Sequence, residues 1–251
     1  MDAAIEVLGR PASELSVYEF GVGSDLIGPL TFLARGVRRQ VVVDQSPLLR
    51  PRLVESALRR FGDPRQSVTL PVPPRLDCRS RRHLVHHLAT VGIDYRAPVD
   101  ARATGLPSAS MDLIVSNSTM EHVPRSDLPA LVAECMRLLK PSGVMSFRID
   151  YEDHYAIHDR SLSSYNFLRF SDREWRKYNS ALQYQNRLRH SDYVSLFERL
   201  GLDTLAVETL DPSPAHLAEL ATMPLHDSFR AYALPDLGIR KGVFLLRKLP
   251  A

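Results

Sequence analysis

The sequence predicts a doubly wound α/β fold, and three observations carry that expectation. Strand-length apolar runs alternate with amphipathic helix patterns from Ser16 to Ile149, the order that builds a parallel sheet with helices on both faces. A glycine turn, Gly21-Val22-Gly23, follows the first run. Acidic residues, Asp44 and Asp100, close the second and third. In such sheets ligands bind beyond the carboxyl ends of the strands, so these turns are the first place to look for a site.

Ser16 to Phe20 reads as the first strand, after which Leu26, Leu30, Leu33 and Ala34 fall at helical spacing and Gly36 suits the helix end. Gln40 to Val43 is a β-branched strand closing on Asp44. Leu53, Val54, Ala57, Leu58 and Phe61 mark one helix face. A proline-rich crossing, Leu70 to Pro74, leads to a helix marked by Leu84, Leu88 and Val91 that stops at Gly92. The third strand is expected from Ile93 to Val99 and the fourth from Met111 to Ser116. Ser126 and Asp127 can cap a helix whose apolar stripe runs from Leu128 to Leu139. Lys140-Pro141-Ser142-Gly143 ends it before a fifth strand, Val144 to Ile149.

After Asp150 the pattern changes to about forty residues rich in Tyr, Phe, Arg and Asn, within which Ser171 and Glu174 form a capping box. A helix bearing Val194, Phe197 and Leu200 then stops at Gly201. Leu205 to Leu210 and Gly242 to Leu246 are the last two strands, separated by a helix near His216 to Met223. The 251 residues suit a single domain, 1–251, with residues 151–192 inserted as a lid or substrate wall.

Composition excludes several function classes. With 44% hydrophobic and 24% charged residues the chain has ordinary globular usage. Acidic residues at Asp2, Glu6 and Glu14 argue against a secretory leader, and no apolar run is long enough to span a bilayer, so a cytoplasmic location is expected. Cys78 and Cys135 cannot build a disulfide framework and sit in no zinc-binding spacing. Net charge is only +3, and the densest basic stretch, Arg79, Arg81 and Arg82, has no interleaved aromatics. Neither a nucleic acid nor a membrane is therefore an expected partner.

Gly21 and Gly23 let the backbone turn sharply and approach a ligand. Asp44 lies 21 positions after Gly23, where a carboxylate can accept hydrogen bonds from ribose hydroxyls. Asp100 is placed to meet an adenine amine. At this point the residues resemble the class I S-adenosylmethionine-dependent methyltransferases. Glu19-Phe20-Gly21-Val22-Gly23-Ser24-Asp25 is similar to their first motif, with Asp25 in place of its third glycine. Asp44 matches their second motif, Asp100-Ala101 their adenine-side motif, Asp112 to Asn117 their fourth strand, and Leu138 to Val144 their fifth-strand entry. A nicotinamide enzyme would instead want a glycine where Leu26 stands.

The resemblance implies a Rossmann-like, mostly parallel seven-stranded sheet with the last strand antiparallel. It also implies S-adenosyl-L-methionine as cofactor. Glu19 would face the methionine amino end, Gly21 and Gly23 the methionine and ribose portion, Asp44 the ribose, and Asp100 with Ala101 the adenine. Asn117 and Ser118 join this cofactor set.

Methyl transfer to a hydroxyl requires alignment and removal of a proton. His154 is the candidate base, with Asp153 or Asp150 to orient or tune it; the alternative is a loop histidine bonded to water or backbone. His122, in Ser118-Thr119-Met120-Glu121-His122-Val123, competes for the role, although in the family such a histidine often has a structural one. Asp150, Asp153, His154, His158 and Asp159 offer a second reading as a magnesium site, which an exposed acidic loop would mimic, so no metal ligand is assigned. Tyr155, His158, Tyr184, Asn186 and Arg187 are the expected substrate contacts. Tyr184 to Arg189 is similar to segments of bacterial sugar and natural-product methyltransferases. The leading expectation is O-methylation of a small hydroxylated molecule. A rearrangement or cyclisation on the same fold, or a non-catalytic binding protein, are the alternatives, and the oligomeric state stays open, a homodimer included.

Overall fold

The computed structural model describes residues 2–63, 71–181 and 184–249. Leu70, at the start of the expected proline-rich crossing, lies outside them. The chain divides into two compact units: Met1–Asn117 with Ala130–Ser146, and Ser118–Pro129 with Phe147–Leu249.

The first unit opens with α1 (Asp2–Leu8) and β1 (Ser16–Phe20), followed by α2 (Ile27–Ala34), β2 (Arg39–Val43), α3 (Pro51–Arg60), α4 (Arg81–Thr90), β3 (Ile93–Arg96) and β4 (Met111–Asn117). In β1, Val17, Tyr18, Glu19 and Phe20 are all buried, as a strand covered on both faces requires. Leu26, Leu30, Leu84, Leu88 and Ile93 share one core with Val54 and Ala57, and fully burying each leucine contributes about 1.5–3 kcal/mol. Gly92 ends α4 with φ +92, and a Cβ there would lie 1.9 Å from the carbonyl oxygen of Arg38. That turn therefore admits only glycine.

The third strand stops at Arg96 rather than Val99. Pro98 has no N–H to continue the ladder, and the Val99 N–H instead donates to the Asp44 carbonyl at 2.9 Å. The helix α5 (Leu128–Leu138) runs directly into β5 (Leu139–Asp150), five residues before the expected start. The expected turn at Lys140–Gly143 is absent because Ala109 and Ser110 donate their N–H groups to the carbonyls of Arg137 and Leu138. Lys140 is also drawn onto Asp112 at 2.8 Å. The buried Asp112 carboxylate further accepts from Arg10 at 2.7 Å and from the Ser16 N–H at 2.8 Å, so it anchors the amino ends of β1 and β4.

The second unit carries the one-turn helices α6 (Tyr155–His158) and α7 (Asp172–Trp175), then α8 (His190–Arg199), β6 (Leu202–Leu210), α9 (Pro214–Thr222), α10 (Leu234–Gly238) and β7 (Lys241–Lys248). The Ser171–Glu174 capping box is present, with both reciprocal bonds made. Tyr165, Phe167 and Trp175 pack with Leu220, Phe229 and Leu237 in a core of their own. These aromatics of the insertion thus form packing rather than a wall.

The seven strands form one sheet in the order β3-β2-β1-β4-β5-β7-β6. β1 pairs parallel with β2 and β4, β2 pairs parallel with β3, and β7 runs antiparallel to β6. The doubly wound, mostly parallel sheet with an antiparallel last strand is as expected. No helix among the described residues is long and apolar enough to cross a membrane.

Candidate active site

In the first unit the glycine loop is bonded to the end of β2. Gly21 and Gly23 have φ +71 and +67, in the left-handed region that glycine adopts without penalty. The Gly21 N–H donates to the Val43 carbonyl at 2.9 Å, and the Gly23 N–H donates to Asp44 Oδ2 at 3.0 Å. Asp44 closes β2 and is 8% exposed. Burial raises its carboxyl, against opposing bonds from the N–H groups of Ser46, Gly23 and Gln45. The Asp44 N–H donates to Arg96 at 3.1 Å, so the segment that leads to Asp100 lies alongside. Among the described residues, nothing beyond the chain neighbours stands within 4 Å of where a Gly23 Cβ would be, which leaves the loop open above that residue.

Asp100 is exposed and gripped by Arg102, whose Nη2 donates to Oδ2 at 2.8 Å and whose Nε donates to Oδ1 at 3.0 Å. Its carboxyl is held low by those bonds. Ala101 beside it is half-buried. Leu26, the position a dinucleotide fold would fill with glycine, is itself left-handed at φ +57 and fully buried.

Glu19 is 2% exposed, and its Oε2 has no hydrogen-bond partner among the described residues. The helix α2 passes over it without a side chain: a Cβ on Gly28 would lie 2.5 Å from Glu19 Oε1. Burial, reinforced by Asp25, pushes the carboxyl up to about 8. This contact was not anticipated; Gly28 reads in sequence as an ordinary helix glycine.

The second unit assembles a different group. Glu121 and His122 lie on a 3-10 turn, Met120–His122, that directly follows the Ser118–Thr119 link, and His154 precedes α6. The His122 and His154 ring centroids are 5.0 Å apart at 61°. One ligating atom from each of Glu121, His122 and His154 lies within 4.8 Å of the others. His122 Nδ1 is 2.6 Å from the carbonyl oxygen of Tyr184, so Nδ1 is the donor in this contact and Nε2 is the nitrogen left for another partner. Burial lowers the His154 ring, as does His122, while Asp150 and Glu152 oppose them.

Asp153 does not act on that ring. Its Oδ1 accepts from the Tyr155 N–H at 2.9 Å and its Oδ2 from Asn166 at 3.3 Å. The acidic neighbours that do act are Asp150 and Glu152. The five residues read as a magnesium cluster do not assemble among the described residues. Asp150 lies 3.4 Å from Lys241, Asp159 bonds to Ser161 at 2.7 Å, and His158 is exposed.

Two expected substrate contacts are occupied by the fold itself. Asn186 Nδ2 donates to the carbonyls of Met120 and Val123, both at 2.9 Å, and its N–H donates to the Glu121 carbonyl at 2.8 Å. Arg187 is buried, donating to the carbonyls of Phe167 and Phe170 at 2.8 and 2.6 Å and pairing with Asp172. Its guanidinium lies 5.0 Å from the Phe229 ring. Tyr155 donates its hydroxyl to the Tyr178 carbonyl at 2.6 Å yet stays 37% exposed. Ser118 has φ +48 and donates its N–H to the Arg148 carbonyl at 2.9 Å, and Asn117 is exposed.

Residues 65–147 match the family described as a methyltransferase domain. No curated protein sequence matches the chain. Among solved structures, an S-adenosylmethionine-dependent methyltransferase from Mesorhizobium loti is 14% identical, covering 98% of this chain and 96% of its own at a TM-score of 0.50. The 1,6-didemethyltoxoflavin-N1-methyltransferase of Burkholderia thailandensis, solved with 1,6-didemethyltoxoflavin and S-adenosylhomocysteine, is 13% identical over 99% of this chain and 76% of its own, also at 0.50. The YcgJ protein of Bacillus subtilis is 14% identical over 98% and 100%, with a TM-score of 0.50. At such identities the likeness is one of fold.

Strand order, glycine loop and neighbours define a class I methyltransferase fold. Within that fold, residues 65–147 match a methyltransferase domain.

Proposed function

We propose that the chain transfers a methyl group to a hydroxyl of a small molecule, a sugar or a secondary metabolite, in a single domain whose insertion, residues 151–192, borders the acceptor. The observation that carries the reading is the pair His122 and His154, whose rings lie 5.0 Å apart with His122 oriented by its Nδ1 contact to the Tyr184 carbonyl. A hydroxyl must lose its proton to become an effective nucleophile, and a neutral imidazole is suited to take it.

The first unit's residues fit S-adenosylmethionine. The buried Glu19 Oε2 lacks a donor, which suits an ammonium group; the open space above Gly23 admits a ligand; and Asp44 retains lone pairs for ribose hydroxyls. Bound there, the cofactor supplies a methyl group on a sulfonium that leaves as a thioether. Glu19 and Asp44 hold and orient. Asp100 and Ala101 border the adenine side, and Asn117 completes the set within this unit. His154, with His122 beside it, takes the acceptor's proton as the new O–C bond forms. Tyr155, Ile157 and Tyr178 keep 37%, 65% and 49% of their surface exposed and offer apolar area to the acceptor.

The test is incubation with labelled S-adenosylmethionine and a panel of hydroxylated and amine acceptors. Label should pass to hydroxylated members, and His154→Ala should cut turnover about a hundredfold with cofactor affinity unchanged. Transfer only to amines, or full turnover in the variant, would remove the reading.

A further inference from the structure

A buried carboxylate in the second unit meets backbone N–H groups, its own and that of Asp150, and no side-chain donor among the described residues. Glu121 is 2% exposed, and those N–H groups complete no full hydrogen bond to either of its side-chain oxygens. Burying a carboxyl without a full hydrogen bond costs several kcal/mol in principle, and burial here pushes it up to about 8. Two imidazoles stand beside it. The ring nitrogens of His154 have no hydrogen bond among the described residues, and His122 keeps Nε2 free because Nδ1–H is spent on the Tyr184 carbonyl. A bond from the far ring nitrogen to a backbone carbonyl is what orients a metal-ligating histidine.

The backbone around these groups is clamped. Asn186 holds the carbonyls of Met120, Glu121 and Val123, and Gln185 Oε1 accepts from the His154 N–H at 3.3 Å. A ligand set on a fixed backbone needs little ordering when an ion arrives. The three ligating atoms lie within 4.8 Å of one another, against roughly 3.3 Å between ligands of a tetrahedral ion with bonds near 2.0 Å. Side-chain rotation on the order of an ångström closes that gap.

We propose that Glu121, His122 and His154 bind a divalent first-row transition ion through one carboxylate oxygen and two imidazole nitrogens, leaving positions open to an oxygen ligand. Two nitrogen donors favour zinc, iron, cobalt or nickel over magnesium, which prefers an all-oxygen shell. The open positions suit the hydroxyl of the acceptor, and a cation there makes a bound hydroxyl more acidic. In the ion-loaded chain the bound hydroxyl gives its proton to solvent water, in place of transfer to the free imidazoles. That last part rests on the methyl-transfer reading; binding of the ion does not.

The test uses the full chain, stripped with a chelator and titrated with zinc by calorimetry and with cobalt by visible absorption. One equivalent should bind. Glu121→Gln, which keeps the shape, and His154→Ala should each weaken binding by about tenfold or more, with circular dichroism confirming that both variants fold. His86→Ala, at an exposed histidine of α4, should leave it unchanged. Wild-type affinity no tighter than that of the Glu121→Gln/His154→Ala double variant overturns the proposal. Titration of the ion-free chain with S-adenosylmethionine, run alongside, tests the methyl-transfer reading on its own.

Discussion

The backbone N–H of Gly23 donates to Asp44 Oδ2 at 3.0 Å, tying the loop after β1 to the end of β2. Oδ2 thereby fixes the loop, while Oδ1 accepts from the Ser46 N–H at 3.3 Å and keeps a further lone pair. A charge-assisted bond of this kind contributes about 1.5–3 kcal/mol when partly shielded.

Gly23→Ala should reduce stability by about 1 kcal/mol, since φ is +67 and a side chain there prefers other conformations. Because no described residue beyond its chain neighbours lies within 4 Å of the new Cβ, the methyl group enters space proposed for the cofactor. Affinity for S-adenosylmethionine should fall by more than the stability loss accounts for. Equal affinity in calorimetry would place the cofactor elsewhere.

Glu19 predicts a pH dependence of stability. Its folded carboxyl sits at about 8 against an ordinary 4.5, raised by burial and by Asp25. The folded state therefore binds more protons between those values, so the contribution is full below about pH 4.5 and is lost as pH rises through about 8. Thermal melts across that window should show the wild type losing stability relative to Glu19→Gln. Parallel curves would mean that the carboxyl ionises freely.

Asn186→Ala should destabilise the chain by about 2 kcal/mol, a drop in Tm of about 4–8 °C. The variant leaves the carbonyls of Met120 and Val123 without their donor. Because that segment carries Glu121 and His122, turnover measured well below the Tm should fall as well. Loss of Tm alone would make the clamp structural only.

Arg187 and Asp172 form an ion pair whose partners are unequal. Arg187→Met should cost about 2–4 kcal/mol through the orphaned carbonyls of Phe167 and Phe170 and the lost contact with Phe229. Asp172→Ala should change little, because its side chain is 93% exposed and water screens the pair. Denaturant melts of the two variants check the asymmetry; similar losses would show that the ion pair itself carries the stability.

The strands and their acidic ends were legible because β-branched runs and glycine stops repeat locally: β1 begins and ends where the letters indicate, and Asp44 closes β2. Local pattern could not reveal partners that arrive from far along the chain. Trp175 and Phe167 pack on Phe229 and Leu237, so an aromatic stretch that reads as a wall became core. Asn186 and Arg187 look available for substrate in sequence, yet carbonyls from residues 120, 123, 167 and 170 consume their donors. Glu121 was visible only as the neighbour of His122, since nothing in a one-turn helix signals that a carboxylate is buried without a side-chain donor. His122 finds Tyr184 across a separation of 62 residues, beyond the reach of any periodicity.

Calorimetric titration of the full chain with S-adenosylmethionine, wild type against Asp44→Ala, tests the account at its centre. Saturable one-to-one binding, weakened about tenfold to a hundredfold in the variant, is the predicted result. A folded wild-type chain that takes up none of this molecule at saturating concentration, or a variant that binds it equally well, would contradict it.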